Sequence, residues 1–153
     1  MGLFGLGKAP ARPLRLMAQE ADDLPAISAL VQDAALRAGD LSYDAAGRHF
    51  TLRMNRFCHE AAKGIPLRAP SVLRISCVTA VKMRGLDIKQ ANLPLSLLDI
   101  LAEPLETPAI ALTLRFAGAT HRDIRIEAEC VDVLLLDLAA PRRARSAPNH
   151  QTD

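Results

Sequence analysis

Ile110-Ala111-Leu112-Thr113-Leu114-Arg115-Phe116, a turn containing Gly118, and Ile124-Arg125-Ile126-Glu127-Ala128-Glu129-Cys130 form the stretch that decides the fold. Apolar residues stand at every second position, with Ile110, Leu112, Leu114 and Phe116 followed by Ile124, Ile126, Ala128 and Cys130. Side chains of a strand alternate between faces, so this period marks two half-buried strands, and the intervening glycine marks a hairpin. Beyond Cys130 and Val131 the alternation slips by one, which predicts a β-bulge after which Val133 and Leu135 resume the buried row. A helical turn over 131–138 is the alternative reading.

The same period recurs upstream. Phe50, Leu52 and Met54 alternate with His49, Thr51, Arg53 and Asn55, and Leu41 and Tyr43 precede them across the loop Asp44-Ala45-Ala46-Gly47-Arg48. That pattern reads as a hairpin with Gly47 supplying positive φ. A strand over about 71–83 places Leu73, Ile75, Cys77, Val81 and Met83 on one face and Arg74, Ser76 and Lys82 on the other. Leu95 to Leu101 reads as another strand after a loop through Gly85 and Pro94, and Leu14 to Ala18 as a first one. Only one segment carries helical spacing: Leu24, Ile27, Leu30 and Val31, introduced by Asp22, Asp23 and Pro25, residues suited to free amides and a first helical turn.

These elements predict an α+β fold: one N-terminal helix packed on a curved, mainly antiparallel sheet of about seven strands, with a partial barrel as its closed form. A chain of 153 residues is expected to form one core. The division expected is a Gly/Pro-rich flexible leader over 1–13, a globular domain over 14–139 and a flexible tail over 140–153. Apolar runs such as Val133 to Leu136 fall far short of the roughly 20 residues of a membrane span. Pro10 and Pro13 interrupt any signal-peptide core, and Leu6 stands where a myristoylation signal needs Ser or Thr, so a cytoplasmic protein without membrane attachment is expected.

Catalytic signatures do not emerge. His49, His59, His121 and His150 share no ligand spacing, and the consecutive donors Cys58, His59 and Glu60 would point to opposite faces of a strand, so neither a metal nor another cofactor is expected. Gly-x-Ser-x-Gly and phosphate-binding glycine patterns are missing from the sequence, and Glu127 and Glu129 read as like charges on one solvated face. Cys58, Cys77 and Cys130 are odd in number and widely spaced, the usage of reduced thiols in a core.

Charge is segregated. Residues 48–89 hold Arg48, Arg53, Arg56, Lys63, Arg68, Arg74, Lys82, Arg84 and Lys89 against Glu60 and Asp87, whereas residues 93–140 hold eight acids against Arg115, Arg122 and Arg125. Cross-strand pairing inside the fold is one outcome. The other is a basic face lined by Arg53, Arg74 and Lys82, which suits a non-enzymatic binding or assembly module that meets an acidic protein or a second copy of itself. Nucleic acid is the weaker partner, because stacking needs exposed aromatics and the chain has four Phe, one Tyr and no Trp. A different function class, a small anionic-ligand binder or an enzyme, would draw on Asn55, Arg56, Arg84 and Asp87 at strand ends, two of them arginines able to form bidentate bonds. Pairing of Arg56 with Asp87 to fix a turn is the alternative for those residues.

Several short segments also carry a likeness: Asp22-Asp23-Leu24-Pro25-Ala26-Ile27-Ser28-Ala29, Val31-Gln32-Asp33-Ala34, Gly39-Asp40-Leu41, Asn55-Arg56-Phe57, Val78-Thr79-Ala80-Val81, Arg84-Gly85-Leu86-Asp87, Leu95-Ser96-Leu97-Leu98, Phe116-Ala117-Gly118 and Glu129-Cys130. In this order over about residues 14–138, the chain resembles a bacterial family catalogued as domain of unknown function 2948. The resemblance implies no activity, cofactor or catalytic residue. Cys58 replaces an aromatic expected before the acid in that family, which weakens any role for the Cys58-His59-Glu60 cluster.

Overall fold

The computed structural model describes residues 12–61, 64–118 and 121–144. The expected leader and tail lie outside the described residues over 1–11 and 145–153.

The chain begins with β1 (Arg15–Ala18), a 3-10 turn (Ala21–Asp23) and the helix α1 (Leu24–Val31). Leu24, Ile27 and Val31 are buried, as the three-and-four spacing requires, and the helix packs chiefly on β7 (Pro94–Pro104). Pro25 occupies its first turn, but Asp23 does not cap it; its carboxylate reaches back to accept the amides of Gln19 and Glu20, both at 3.1 Å. Asp23 therefore shapes the entry to the helix rather than capping its free amides.

The remaining strands are β2 (Ala35–Arg37), β3 (Leu41–Asp44), β4 (His49–Phe57), β5 (Leu67–Ile75), β6 (Val78–Arg84), β8 (Ile110–Phe116), β9 (Arg122–Ala128), β10 (Val133–Asp137) and β11 (Arg142–Arg143). All pairings are antiparallel, in the order β1-β10-β5-β4-β2-β7-β8-β9-β6, with β3 added on β4 and β11 on β5. The sheet does not close into a barrel, because β1 and β6 remain its end strands. It has eleven strands rather than about seven. β2 and β11, three and two residues long, are too short to show a period.

The strand expected over 71–83 is in fact two. Cys77 has φ 61°, a left-handed conformation uncommon for a residue with a Cβ, and there the chain turns from β5 into β6. Opposite it, the expected bulge is a four-residue corner, 129–132, between β9 and β10, and no helical turn forms. The two corners are held together by Glu129 N–H donating to the Cys77 carbonyl and Ser76 N–H donating to the Asp132 carbonyl, both at 2.9 Å. In the β3–β4 hairpin the left-handed residue is Arg48, at φ 60°, and not Gly47. A Cβ at Gly47 would lie 2.5 Å from the Asp44 carboxylate that accepts its amide, so that side chain would have to shift.

The corners divide the sheet into two halves: β1, β10, β5 and β4 on one side, β7, β8, β9 and β6 on the other, bridged by β2. Their inner faces meet in one core, with Phe50, Leu52, Leu73, Ile75, Val133 and Leu135 against Leu97, Leu112, Leu114, Ile124 and Ile126. Each such side chain contributes about 1.5–3 kcal/mol when fully buried. Among the described residues no helix is long and apolar enough to cross a membrane.

Candidate docking face

Because alternate residues of β1, β10, β5 and β4 fill the core, the others form an outer face, and the strand register lines them up. One row runs Arg15–Leu136–Val72–Arg53, the next Met17–Leu134–Arg74–Thr51. Pro70 and Asn55 are opposite each other beyond the first row, with Leu138 bound to the Pro70 carbonyl at 2.6 Å. Met17 is 41% and Leu138 53% exposed, while Leu134, Leu136 and Val72 are half-buried among the arginines. The face is an apolar stripe bordered by Arg15, Arg53 and Arg74, none of which makes an ion pair among the described residues. The strands of this half and β11 carry Arg15, Arg53, Arg56, Arg68, Arg74, Arg142 and Arg143 against one acid, Asp137, which is buried. Towards β2 the face deepens into a groove of about 480 Å³ lined by Arg37, Asp40, Arg53, Asn55, Pro70 and Pro94.

The outer face of the other half is built differently. Register places Asp99, Arg115, Asp123 and Arg84 side by side across β7, β8, β9 and β6. Arg115 binds Asp99, Arg84 binds Asp123, and Arg125 reaches Glu103 at 3.1 Å and Glu127 at 3.3 Å. The Arg115 guanidinium, followed by burial working against it, holds the Asp99 carboxyl below the usual range. Charges alternate along this ladder and cancel within it.

Arg56 is the largest fully buried side chain, and its partners explain why burial is tolerated. Its Nε and Nη2 donate to the two oxygens of Asp137 at 3.1 and 2.9 Å, and Nη1 and Nη2 donate to Glu60 at 2.8 and 2.7 Å. Nη1 also donates to the Leu30 carbonyl at 3.4 Å, so every N–H of the guanidinium is used. Asp137 additionally accepts the Ser71 hydroxyl at 2.6 Å and the Leu14 amide at 2.8 Å. Burial acts to raise the Asp137 carboxyl, but hydrogen bonds from Arg56, Ser71 and Leu14 override it and hold the carboxyl below its usual range. Glu60 is lowered mainly by the Arg56 hydrogen bonds. The network ties β4, β5, β10, α1 and the start of β1 into one knot. Cys58 beside it is buried, and that burial pushes its thiol up to about 11.

The structure does not bring Asn55, Arg56, Arg84 and Asp87 together. Arg56 is saturated inside the fold, Arg84 belongs to the charge ladder, Asn55 is on the outer face of β4, and Asp87 accepts the Lys89 amide in the turn after β6. The buried partner of Arg56 is Asp137 and not Asp87. Arg53 and Arg74 do share a face, on neighbouring strands, whereas Lys82 lies on the end strand β6, opposite Arg125. Among the described residues no three of His, Cys, Asp and Glu are grouped to hold a metal ion. Sequence reasoning missed the apolar half of the face, Leu134 and Leu136, whose alternation with Val133 and Leu135 is invisible in an all-apolar run, and missed Arg15 on the first strand.

A model of the family described as "Protein of unknown function (DUF2948)" matches residues 14–150. No curated protein and no solved structure matches the chain. With the match spanning nearly the whole chain, this protein belongs to the DUF2948 family.

Proposed function

We propose that this domain is a non-enzymatic binding module of the cytoplasm, and that it docks an acidic protein on the outer face of β1, β10, β5 and β4. The observation that carries the reading is the pair of register-aligned rows in which Arg15, Arg53 and Arg74, without an ion pair among the described residues, border Met17, Val72, Leu134 and Leu136. An apolar stripe supplies non-directional contact energy, and arginines around it add bidentate recognition of carboxylates and electrostatic steering. Self-association through this face is disfavoured, because a two-fold contact would bring Arg15, Arg53 and Arg74 towards their own copies. Nucleic acid fits less well: the aromatic at the end of the face, Phe57, has the Arg68 guanidinium over its ring, 5.5 Å from the ring centre, where a base would stack.

The test is photocrosslinking in the protein's own cells from a benzophenone amino acid placed at Leu136, with Leu101 on the ladder half as the comparison site. A discrete protein adduct from position 136, absent from position 101, supports the reading. Adducts of equal yield from both positions, or adducts from 136 that are nucleic acid or a second copy of the chain, contradict it.

A further inference from the structure

The three cysteines are not equivalent. Cys58 is buried, but Cys77 and Cys130 are only half-buried and belong to the two facing corners that join the halves of the sheet. Their positions are fixed from both sides. Val78 pairs with Ala128 below the corners and Ile75 with Val133 above them. Between those pairs the Glu129–Cys77 and Asp132–Ser76 backbone bonds, each 2.9 Å, clamp the segment that carries Cys130 against Cys77. The two thiols are close enough to influence each other electrostatically. Cys77 stands at φ 61°, where glycine would be free of strain, so the corner carries a thiol at a position that backbone preference alone would give to glycine.

We propose that Cys77 and Cys130 are a reversible dithiol–disulfide site, oxidised by a peroxide and restored by a small thiol. One sulfur attacks the peroxide O–O bond, forming a sulfenic acid and releasing water or an alcohol; the second sulfur then displaces the sulfenic hydroxyl as water, forming the S–S bond. The peroxide is reduced by two electrons and the two thiols are oxidised by two. Two molecules of small thiol reverse the step, leaving as their own disulfide. The Cys77 thiol is held above the ordinary range, first by its interaction with Cys130 and then by burial. Arg48, bound to Glu129 at 2.7 Å, places a positive charge beside both sulfurs. The product staples the β5–β6 corner to the β9–β10 corner and fixes the angle between the docking half and the ladder half.

The experiment treats the purified full chain with hydrogen peroxide and reads each cysteine by alkylation and peptide mapping, before and after addition of glutathione. The expected product is about 2 Da lighter, contains one Cys77–Cys130 linkage within a single chain, and shows alkylation of both residues reduced about tenfold, fully restored by glutathione. Cys58 is expected to remain a thiol. In a Cys130→Ser chain, Cys77 is expected to stay alkylatable under the same treatment. Linkage through Cys58, linkage between chains, overoxidation of either cysteine without an S–S bond, or loss of Cys77 at an unchanged rate in Cys130→Ser would each overturn the proposal.

Discussion

Two rows of four residues summarise the difference between the halves of this molecule. On β7, β8, β9 and β6 the outer row reads Asp99, Arg115, Asp123, Arg84, and on β1, β10, β5 and β4 it reads Arg15, Leu136, Val72, Arg53. The backbone arrangement is the same, four antiparallel strands with the alternate residues buried in a common core. In the first row every arginine faces a carboxylate, so the field of the face cancels and little is left to attract a partner. In the second the arginines face leucine and valine, and their charge projects into solvent. Arginine number alone therefore says little about binding; what matters is whether the strand register supplies the counter-charge.

Mutations on the two halves should differ in effect, and the largest loss is expected beneath the outer face of β1, β10, β5 and β4 rather than on it. Arg56→Met leaves the buried Asp137 without its cation, which should cost about 3–5 kcal/mol in urea unfolding. Arg84→Ala on the exposed ladder should cost about 0–1 kcal/mol by the same measurement. Equal losses would mean that the knot is not special.

Acid should weaken the same knot. The folded-state carboxyls of Asp137 and Glu60 are depressed, so the unfolded chain binds more protons than the folded one at acidic pH. Their contribution is complete above the unfolded values, about 4, and is lost as pH falls through the lower folded values. Urea midpoints should therefore fall more steeply below pH 4 in the wild-type chain than in Asp137→Asn, which no longer has that carboxyl to protonate. Parallel curves would contradict the assignment.

Smaller effects separate the two faces. Arg115→Glu sets a third acid between Asp99 and Asp123 and should destabilise by about 1 kcal/mol, less at high salt. Arg53→Glu with Arg74→Glu reverses charges that have no ion-pair partner among the described residues, and should leave stability within about 0.5 kcal/mol. A large loss from the second change would show that the docking-face arginines serve the fold.

The sequence was legible where one face meets the core and the other meets water. Period two located β4, β8 and β9, and the three-and-four spacing of Leu24, Ile27 and Val31 located α1. It was less legible in β10, where Leu134 and Leu136 are as apolar as the core residues beside them and the outer apolar stripe is hidden inside an apolar run. The turn at Cys77 was unreadable because a left-handed cysteine has no compositional signal, and a continuous alternation through it looked like one long strand. Charge partners were invisible for a different reason: Arg48 with Glu129, Arg56 with Asp137 and Arg84 with Asp123 are joined by sheet order, which local periodicity does not encode. The split between a basic segment and an acidic one was real in the chain but was redistributed by folding, so that only Arg53 and Arg74 of the expected basic face share an open surface.

The most direct test of the central claim compares the yield of the protein adduct formed from a benzophenone at Leu136 in three chains: otherwise unchanged, Arg53→Glu with Arg74→Glu, and Arg84→Ala. The account predicts a fall of about tenfold or more in the doubly reversed chain and no change in Arg84→Ala. Equal yields in all three chains, or equal losses in both variants, would contradict the division of the molecule into a docking half and a self-compensated half.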